Sequence, residues 1–150
     1  MNPKPPIRLA PHPLAAWERG DLLAALKKAG LPVDDLQQPG RLFWRFESND
    51  FPVGFGGLEI HQDHALLRSV VTLPPVRNRG IGRAIVAALE SEARLHDCQN
   101  MWALTTTHAA VFERLGYRQC QRDEVPEIIR GTQQFARLCP ADSQVMRKRL

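Results

Sequence analysis

The sequence predicts an α/β domain built on a mixed sheet, and three observations carry that prediction. The chain has 150 residues, the size of one compact domain, so a single domain over residues 1–150 is expected. Apolar residues make up 43% and charged residues 24%, as in ordinary globular proteins. Hairpin patterns come first and strand–helix–strand–helix–strand follows, an order that favours a mixed sheet covered by helices.

The first half of the chain contains one predicted helix among strands. Asp21 is suited to cap that helix and Gly30 to end it, although an earlier start near Leu14 is left open. Gln62 and Asp63 have the composition of a tight turn between two strands. In chain order we expect a strand at 7–10 closed by Pro11, His12 and Pro13, a helix at 22–29, and strands at 42–47, 53–61 and 64–72.

The second half alternates helices and strands. The pattern from residue 81 to 96 is helical, with Glu90 and Arg94 paired on the face opposite the apolar residues. Gly131 weakens a last helix that Pro140 closes. The expected elements are a helix at 81–96, a strand at 101–104, a helix at 108–115, a strand at 117–120, a helix at 127–138 and a terminal edge strand at 145–150.

Composition excludes several classes of protein. The net charge of +4 is modest and the arginines are scattered, so we expect no nucleic-acid partner, while an anionic ligand stays open. No apolar run reaches the length of a membrane span, and residues 1–6 lack the apolar region of a secretory signal. The three cysteines, Cys98, Cys120 and Cys139, form no C-x-x-C pattern, which suits a reduced, cytoplasmic setting without a metal site.

Residues 70–83 carry the most chemistry. They consist of a strand, a proline break and a basic glycine loop that opens a helix. A helix N-terminus offers unpaired N–H groups, and Gly80 and Gly82 allow the backbone to approach a phosphate closely. The P-loop motif is absent, and Ile85 replaces the third glycine of the dinucleotide fingerprint. That the two glycines only shape a turn stays the alternative.

In this stretch Arg77-x-x-Gly80-x-Gly82, following Thr72-x-Pro74, resembles the acetyl-CoA loop of the GNAT N-acetyltransferases. The segment 112–117 is similar to that family's Phe-Tyr-x-x-x-Gly-Phe, and the resemblance covers about residues 65–118. It implies a GNAT-like, mostly antiparallel central sheet flanked by helices, with acetyl-CoA as co-substrate and no metal. It also implies that the following residues bind the co-substrate: Val70, Val71, Thr72, Arg77, Asn78, Arg79, Gly80, Ile81, Gly82, Arg83 and Phe112.

A narrower resemblance concerns residues 104–107 and 130–140, followed by Met146. These stretches are similar to a subgroup of the family found in arsenic-resistance gene clusters. The likeness implies acetylation of the amino group of a small amino acid or of a toxic amino-acid analogue.

Acetyl transfer requires a proton for the departing thiolate and a neutral amine. Many GNAT members supply that proton from a tyrosine, whose place here is taken by Phe112, while Tyr117 matches the family's buried aromatic residue. The usual acid is therefore absent or replaced, and water or the amine's own proton is the alternative. The sequence around His12 and His108 does not indicate a role for either residue.

The candidate base is Glu59, with Arg68 and His61 expected to bind the substrate. If Gln62 and Asp63 form a two-residue turn, Glu59 and Arg68 are diagonal neighbours on one face of the hairpin. Glu59 would accept the amine proton and Arg68 would hold a substrate carboxylate. The alternative is a structural ion pair across the strands. We expect no metal at the histidines of this hairpin.

The sequence therefore predicts an acetyl-CoA-dependent N-acetyltransferase that acts on the amine of a small molecule. The alternatives are an enzyme that acetylates a protein or peptide, and a degenerate regulator that binds acyl-CoA without turnover. A homodimer is left open, and no membrane partner is expected.

Overall fold

A computed structural model of the chain describes residues 7–137 and 143–150. Leu138, Cys139 and Pro140, which belong to the predicted tail, and the proline-rich N-terminus lie outside the described residues. No helix among the described residues is long and apolar enough to cross a membrane.

Seven strands in the described part of the chain form one sheet, in the order β1-β2-β3-β4-β5-β7-β6. The strands are β1 (Ala10–Pro13), β2 (Arg41–Ser48), β3 (Phe51–His61), β4 (His64–Thr72), β5 (Asn100–Thr105), β6 (Arg118–Cys120) and β7 (Gln144–Arg149). The helices are α1 (Gly20–Lys28), α2 (Ile81–Leu95), α3 (Ala109–Arg114), α4 (Glu127–Arg130) and α5 (Gln133–Arg137). The pair β4–β5 is parallel, whereas β1–β2, β5–β7 and β6–β7 are antiparallel. The predicted α/β fold with a mixed sheet is confirmed.

The chain divides into two compact units, and the first holds the described residues up to Gly57 together with Ser69–Leu89. In its core, Leu22 and Leu26 of α1 cluster with Phe55 of β3, and all three side chains are buried. On β3, a Cβ built on Gly56 would lie 2.7 Å from Leu89 of α2, so this helix packs directly against the strand backbone.

The second unit holds Leu58–Arg68 and Glu90–Leu150. Its core joins Leu66, Trp102 and Val145 from three neighbouring strands to Ile129 and Phe135 of the short helices α4 and α5. Burial of these large apolar side chains is the main force that holds the helical segment after β6 against the sheet.

The first strand differs from the prediction, because it runs through the prolines that were expected to end it. The N–H of Leu14 donates to Phe43 O at 2.9 Å, so the backbone N–H and C=O groups of the even-numbered residues in this segment point toward β2. The backbone nitrogens of Pro11 and Pro13, which carry no hydrogen, therefore face away from the partner strand. An edge strand tolerates proline at such positions.

The C-terminal elements also differ. The predicted helix 127–138 is two helices, since Thr132 interrupts it: its hydroxyl donates to Ile129 O at 2.8 Å and accepts the N–H of Phe135 at 3.2 Å, which caps α5. The last strand is not at the edge, because β7 lies between β5 and β6. Glu90 is buried rather than on the exposed face, for reasons given below.

Candidate active site

The glycine loop connects the end of β4 to the start of α2, as the sequence indicates. Asn78 and Gly80 have φ values of +66° and +77°, so left-handed residues alternate with residues of ordinary φ. Such alternation turns successive N–H groups toward one side and makes an anion-binding concavity. The first helical bond of α2 runs from Ala84 N–H to Gly80 O, which leaves the N–H groups of Ile81, Gly82 and Arg83 without partners inside the helix.

The two loop glycines are required for different reasons. Gly80 needs its left-handed backbone conformation. Gly82 is not in that region, and a Cβ built on it would meet only Thr72 Oγ1, at an ordinary 3.7 Å. The protein's own packing therefore leaves room for a side chain at Gly82. Absence of a side chain at the N-terminus of α2 keeps three amides open to an anion.

The other residues that are predicted to bind the co-substrate differ in how far their side chains are exposed. The side chains of Val71 and Ile81 are buried, so a ligand could contact these two residues only through their backbone. Arg77 is exposed and its Nε donates to Thr72 O at 3.4 Å. The side chains of Asn78, Arg79 and Arg83 are exposed, while those of Val70 and Thr72 are half-buried.

Glu59, Arg68 and His61 form one cluster on the β3–β4 hairpin. Arg68 Nη1 lies 3.3 Å from Glu59 Oε2, and His61 Nε2 lies 3.3 Å from Glu59 Oε1. The predicted contact between Glu59 and Arg68 is confirmed. Their side chains are 0% and 4% exposed, whereas that of His61 is 23% exposed, so the imidazole is the part of the cluster that reaches the surface.

The phase of β4 changes just beyond this cluster. Ser69 has a φ of +58° inside the strand, which is the local distortion that a bulge produces. A bulge of β4 therefore lies at Ser69.

Tyr117, the chain's single tyrosine, is buried in the second unit and is engaged there. Its hydroxyl donates to Glu90 Oε2 at 2.9 Å, and Lys148 Nζ donates to Glu90 Oε1 at 2.9 Å. Burial raises the pKa of the Tyr117 phenol far above its usual value, and the Glu90 carboxylate adds to this. Tyr117 is thus a structural donor that holds its proton. Glu90 is buried because these two partners satisfy its charge.

Phe112 lies on α3, half-buried, with its ring edge-on to Tyr117 at a centroid distance of 5.2 Å. A phenyl ring has no proton to give.

Cys98 and Cys120 are buried, and burial raises the pKa of both thiols, so neither is a thiolate at neutral pH.

The histidines of the hairpin are occupied by protein partners. The indole N–H of Trp102 donates to His64 Nδ1 at 3.0 Å, so the neutral ring of His64 carries its proton on Nε2, 3.4 Å from Asp63 Oδ1. Among the described residues no group of three or more metal-ligating side chains is gathered.

The family model described as "Acetyltransferase (GNAT) family" matches residues 9–117. The chain belongs to the GNAT acetyltransferases. Membership of this family explains the resemblance of the glycine loop to the family's acetyl-CoA loop.

Solved structures share the fold of this GNAT chain. N-acetylglutamate synthase from Neisseria gonorrhoeae, in complex with coenzyme A and L-arginine, is 18% identical with a TM-score of 0.75 over 95% of this chain and 33% of its own. The chain thus spans about a third of that synthase. The ribosomal-protein-S18-alanine N-acetyltransferase from Escherichia coli is 16% identical with a TM-score of 0.69, covering 95% and 94%.

Rv2747 from Mycobacterium tuberculosis, solved with CoA, is 28% identical with a TM-score of 0.60 over 72% of this chain and 75% of its own. No curated protein matches the sequence.

Proposed function

We propose that this GNAT enzyme transfers the acetyl group of acetyl-CoA to the amine of a small molecule, either an amino acid or a toxic amino-acid analogue. The observation that carries the proposal is the loop of residues 77–83. Its left-handed Asn78 and Gly80 precede three open amides, and Gly82 lacks a side chain that the protein itself could accommodate. This cradle is suited to a pyrophosphate.

The acceptor class rests on the likeness of residues 104–107 and 130–140, followed by Met146, to the subgroup from arsenic-resistance gene clusters. An amino-acid acceptor also occurs on this fold, since an N-acetylglutamate synthase was solved with coenzyme A and N-acetyl-glutamate. A protein N-terminus is the second candidate, supported by the enzyme for ribosomal protein S18.

On the acceptor side, we assign the base to Glu59 acting through His61. The carboxylate of Glu59 is fully enclosed, so a proton reaches it from outside by way of the partly exposed imidazole. Arg68 contacts the other carboxylate oxygen, at 3.3 Å. A carboxylate behind an imidazole stabilises the protonated ring, as a general base requires. That Arg68 also binds a carboxylate of the acceptor stays a prediction.

A thiol-release assay tests the proposal. The enzyme is mixed with acetyl-CoA and, separately, with each of a set of L-amino acids, amino-acid analogues and peptides that begin with alanine. We expect CoA thiol and an N-acetylated product with at least one free amino acid or analogue. Release with peptides alone would favour the second candidate. Binding of acetyl-CoA with no release across the set would show a regulator instead.

A further inference from the structure

The first unit contains an open groove beside the N-terminus of α1. Its volume is about 450 Å³, which lies in the range of sites that bind small molecules. The lining comes from α1, β2, β3 and the residue that follows β4, namely Asp21, Arg45, Glu47, Pro52, Phe55 and Leu73. All of these residues belong to the same compact unit.

The groove holds a donor and an acceptor group that the protein leaves open. Arg45 Nε donates to Glu47 Oε1 at 3.1 Å, which fixes the guanidinium, while its two terminal nitrogens make no hydrogen bond to the described residues. Glu18, the other carboxylate near Arg45, is engaged by His12 at 3.2 Å. The carboxylate of Asp21 has neither a hydrogen bond nor an ion pair with the described part of the chain. Its place in the first turn of α1 suits the helix dipole but leaves both oxygens available.

Apolar side chains form the rest of the lining. Phe55 is buried in the core of the first unit, and Leu73 packs against that core while staying half-buried. The N–H of Leu73 donates to Val53 O at 2.9 Å, so this residue is held against β3. Pro52 is exposed. A ligand with an apolar side chain would remove part of this surface from water, which favours binding.

We propose that this groove binds a free α-amino acid with an apolar side chain. The ammonium group of the ligand donates to Asp21, and its carboxylate accepts the two terminal nitrogens of Arg45, a pairing for which the planar guanidinium is suited. The side chain lies on Phe55 and Leu73. A simple amine would leave the donors of Arg45 unused, and a simple carboxylate would leave Asp21 unused. The inference goes beyond the proposed function, because the ligand is bound unchanged and no acetyl group is transferred.

The first test is an NMR titration of the enzyme, without acetyl-CoA, with L-phenylalanine and with L-leucine. We expect both to bind saturably. Two analogues of phenylalanine each lack one charged group: 2-phenylethylamine has no carboxylate and 3-phenylpropanoate has no ammonium. Each should bind about 10-fold more weakly, the lower end for the loss of a hydrogen bond to a charged group. L-alanine, whose methyl group covers little apolar surface, should also bind more weakly.

Two substitutions assign the binding to the groove. Asp21→Asn should weaken L-phenylalanine about 10-fold and leave 3-phenylpropanoate unchanged, because that analogue has no ammonium group to lose. Arg45→Lys keeps a positive charge beside Glu47 but removes the planar pair of donors. It should weaken L-phenylalanine and leave 2-phenylethylamine unchanged. The matched controls are Glu113→Gln and Arg114→Met, at exposed residues of α3, which should bind L-phenylalanine as the wild type does.

Three results would overturn the proposal: no saturable binding of either amino acid, equal affinity for L-phenylalanine and its two analogues, or wild-type affinity in both folded groove variants. The last result would mean that the amino acid binds elsewhere on the enzyme. These outcomes are separate from those of the thiol-release assay, since an enzyme that acetylates no amine can still bind an amino acid in this groove.

Discussion

Replacing Gly82 with alanine should change stability and co-substrate affinity in opposite directions. The new methyl group would sit 3.7 Å from Thr72 Oγ1 and in no other close contact with the described residues. Alanine is favoured over glycine in a helix by about 0.5–1 kcal/mol, so the unliganded protein should become slightly more stable. The same methyl would stand among the amides of Ile81 and Arg83 and cost at least one charge-assisted bond. Such a bond is worth about 1.5–3 kcal/mol, or roughly a 10- to 150-fold weaker affinity.

Denaturant unfolding of the free protein and titration calorimetry with CoA measure the two effects. Gly20→Ala is the matched control, because Gly20 also lies in the first turn of a helix, α1, with nothing within 4 Å of its Cβ position. It should stabilise the fold to a similar extent and leave CoA affinity as it is. Equal affinity of Gly82→Ala and the wild type would refute the placement of the pyrophosphate, and a clear loss of stability would refute the packing argument.

Three further substitutions test the second unit. Glu59→Gln should lower the free energy of unfolding by about 3–5 kcal/mol, because it removes the negative charge that pairs with the buried Arg68. The double variant Glu59→Gln/Arg68→Met should regain most of that in denaturant unfolding, and a kcat regained with it would show that Glu59 acts only through folding. Phe112→Tyr should fold and should keep or raise kcat in the thiol assay, because the family resemblance places a proton-donating tyrosine at this position; an unfolded variant would show that Phe112 is core. Tyr117→Phe should make the free energy of unfolding fall less steeply above pH 10. Unfolded tyrosine ionises there, while the folded phenol, with its raised pKa, does not. The free energy of unfolding of the wild type therefore falls by up to about 1.4 kcal/mol per pH unit. Equal slopes of unfolding free energy between pH 9 and 11 would contradict this.

Local patterns predicted the parts of the molecule that depend on neighbouring residues. The bounds of β4 were predicted as His64 to Thr72, since an apolar run stops at Pro74. The contact between Glu59 and Arg68 followed from counting back from a two-residue turn. The expected cradle at Gly80 and Gly82 has the backbone conformation that an anion site needs.

Other features depend on partners far away in the chain. Glu90 looked like a solvent-facing residue, because Tyr117 and Lys148, which neutralise its burial, are 27 and 58 residues distant. The position of β7 inside the sheet is set by its pairing with β5 and β6, which a strand pattern does not specify.

The prolines of β1 also determine how this sheet can meet other molecules. Along the outer margin of β1, Pro11 and Pro13 present carbonyl oxygens but no N–H groups. A strand from a neighbouring chain would find acceptors without donors and could complete no ladder there. Fibre-like growth from this margin is therefore blocked by the covalent structure of two residues, even at high protein concentration. If the chain forms a homodimer, the sheets of the two copies do not join through their β1 strands.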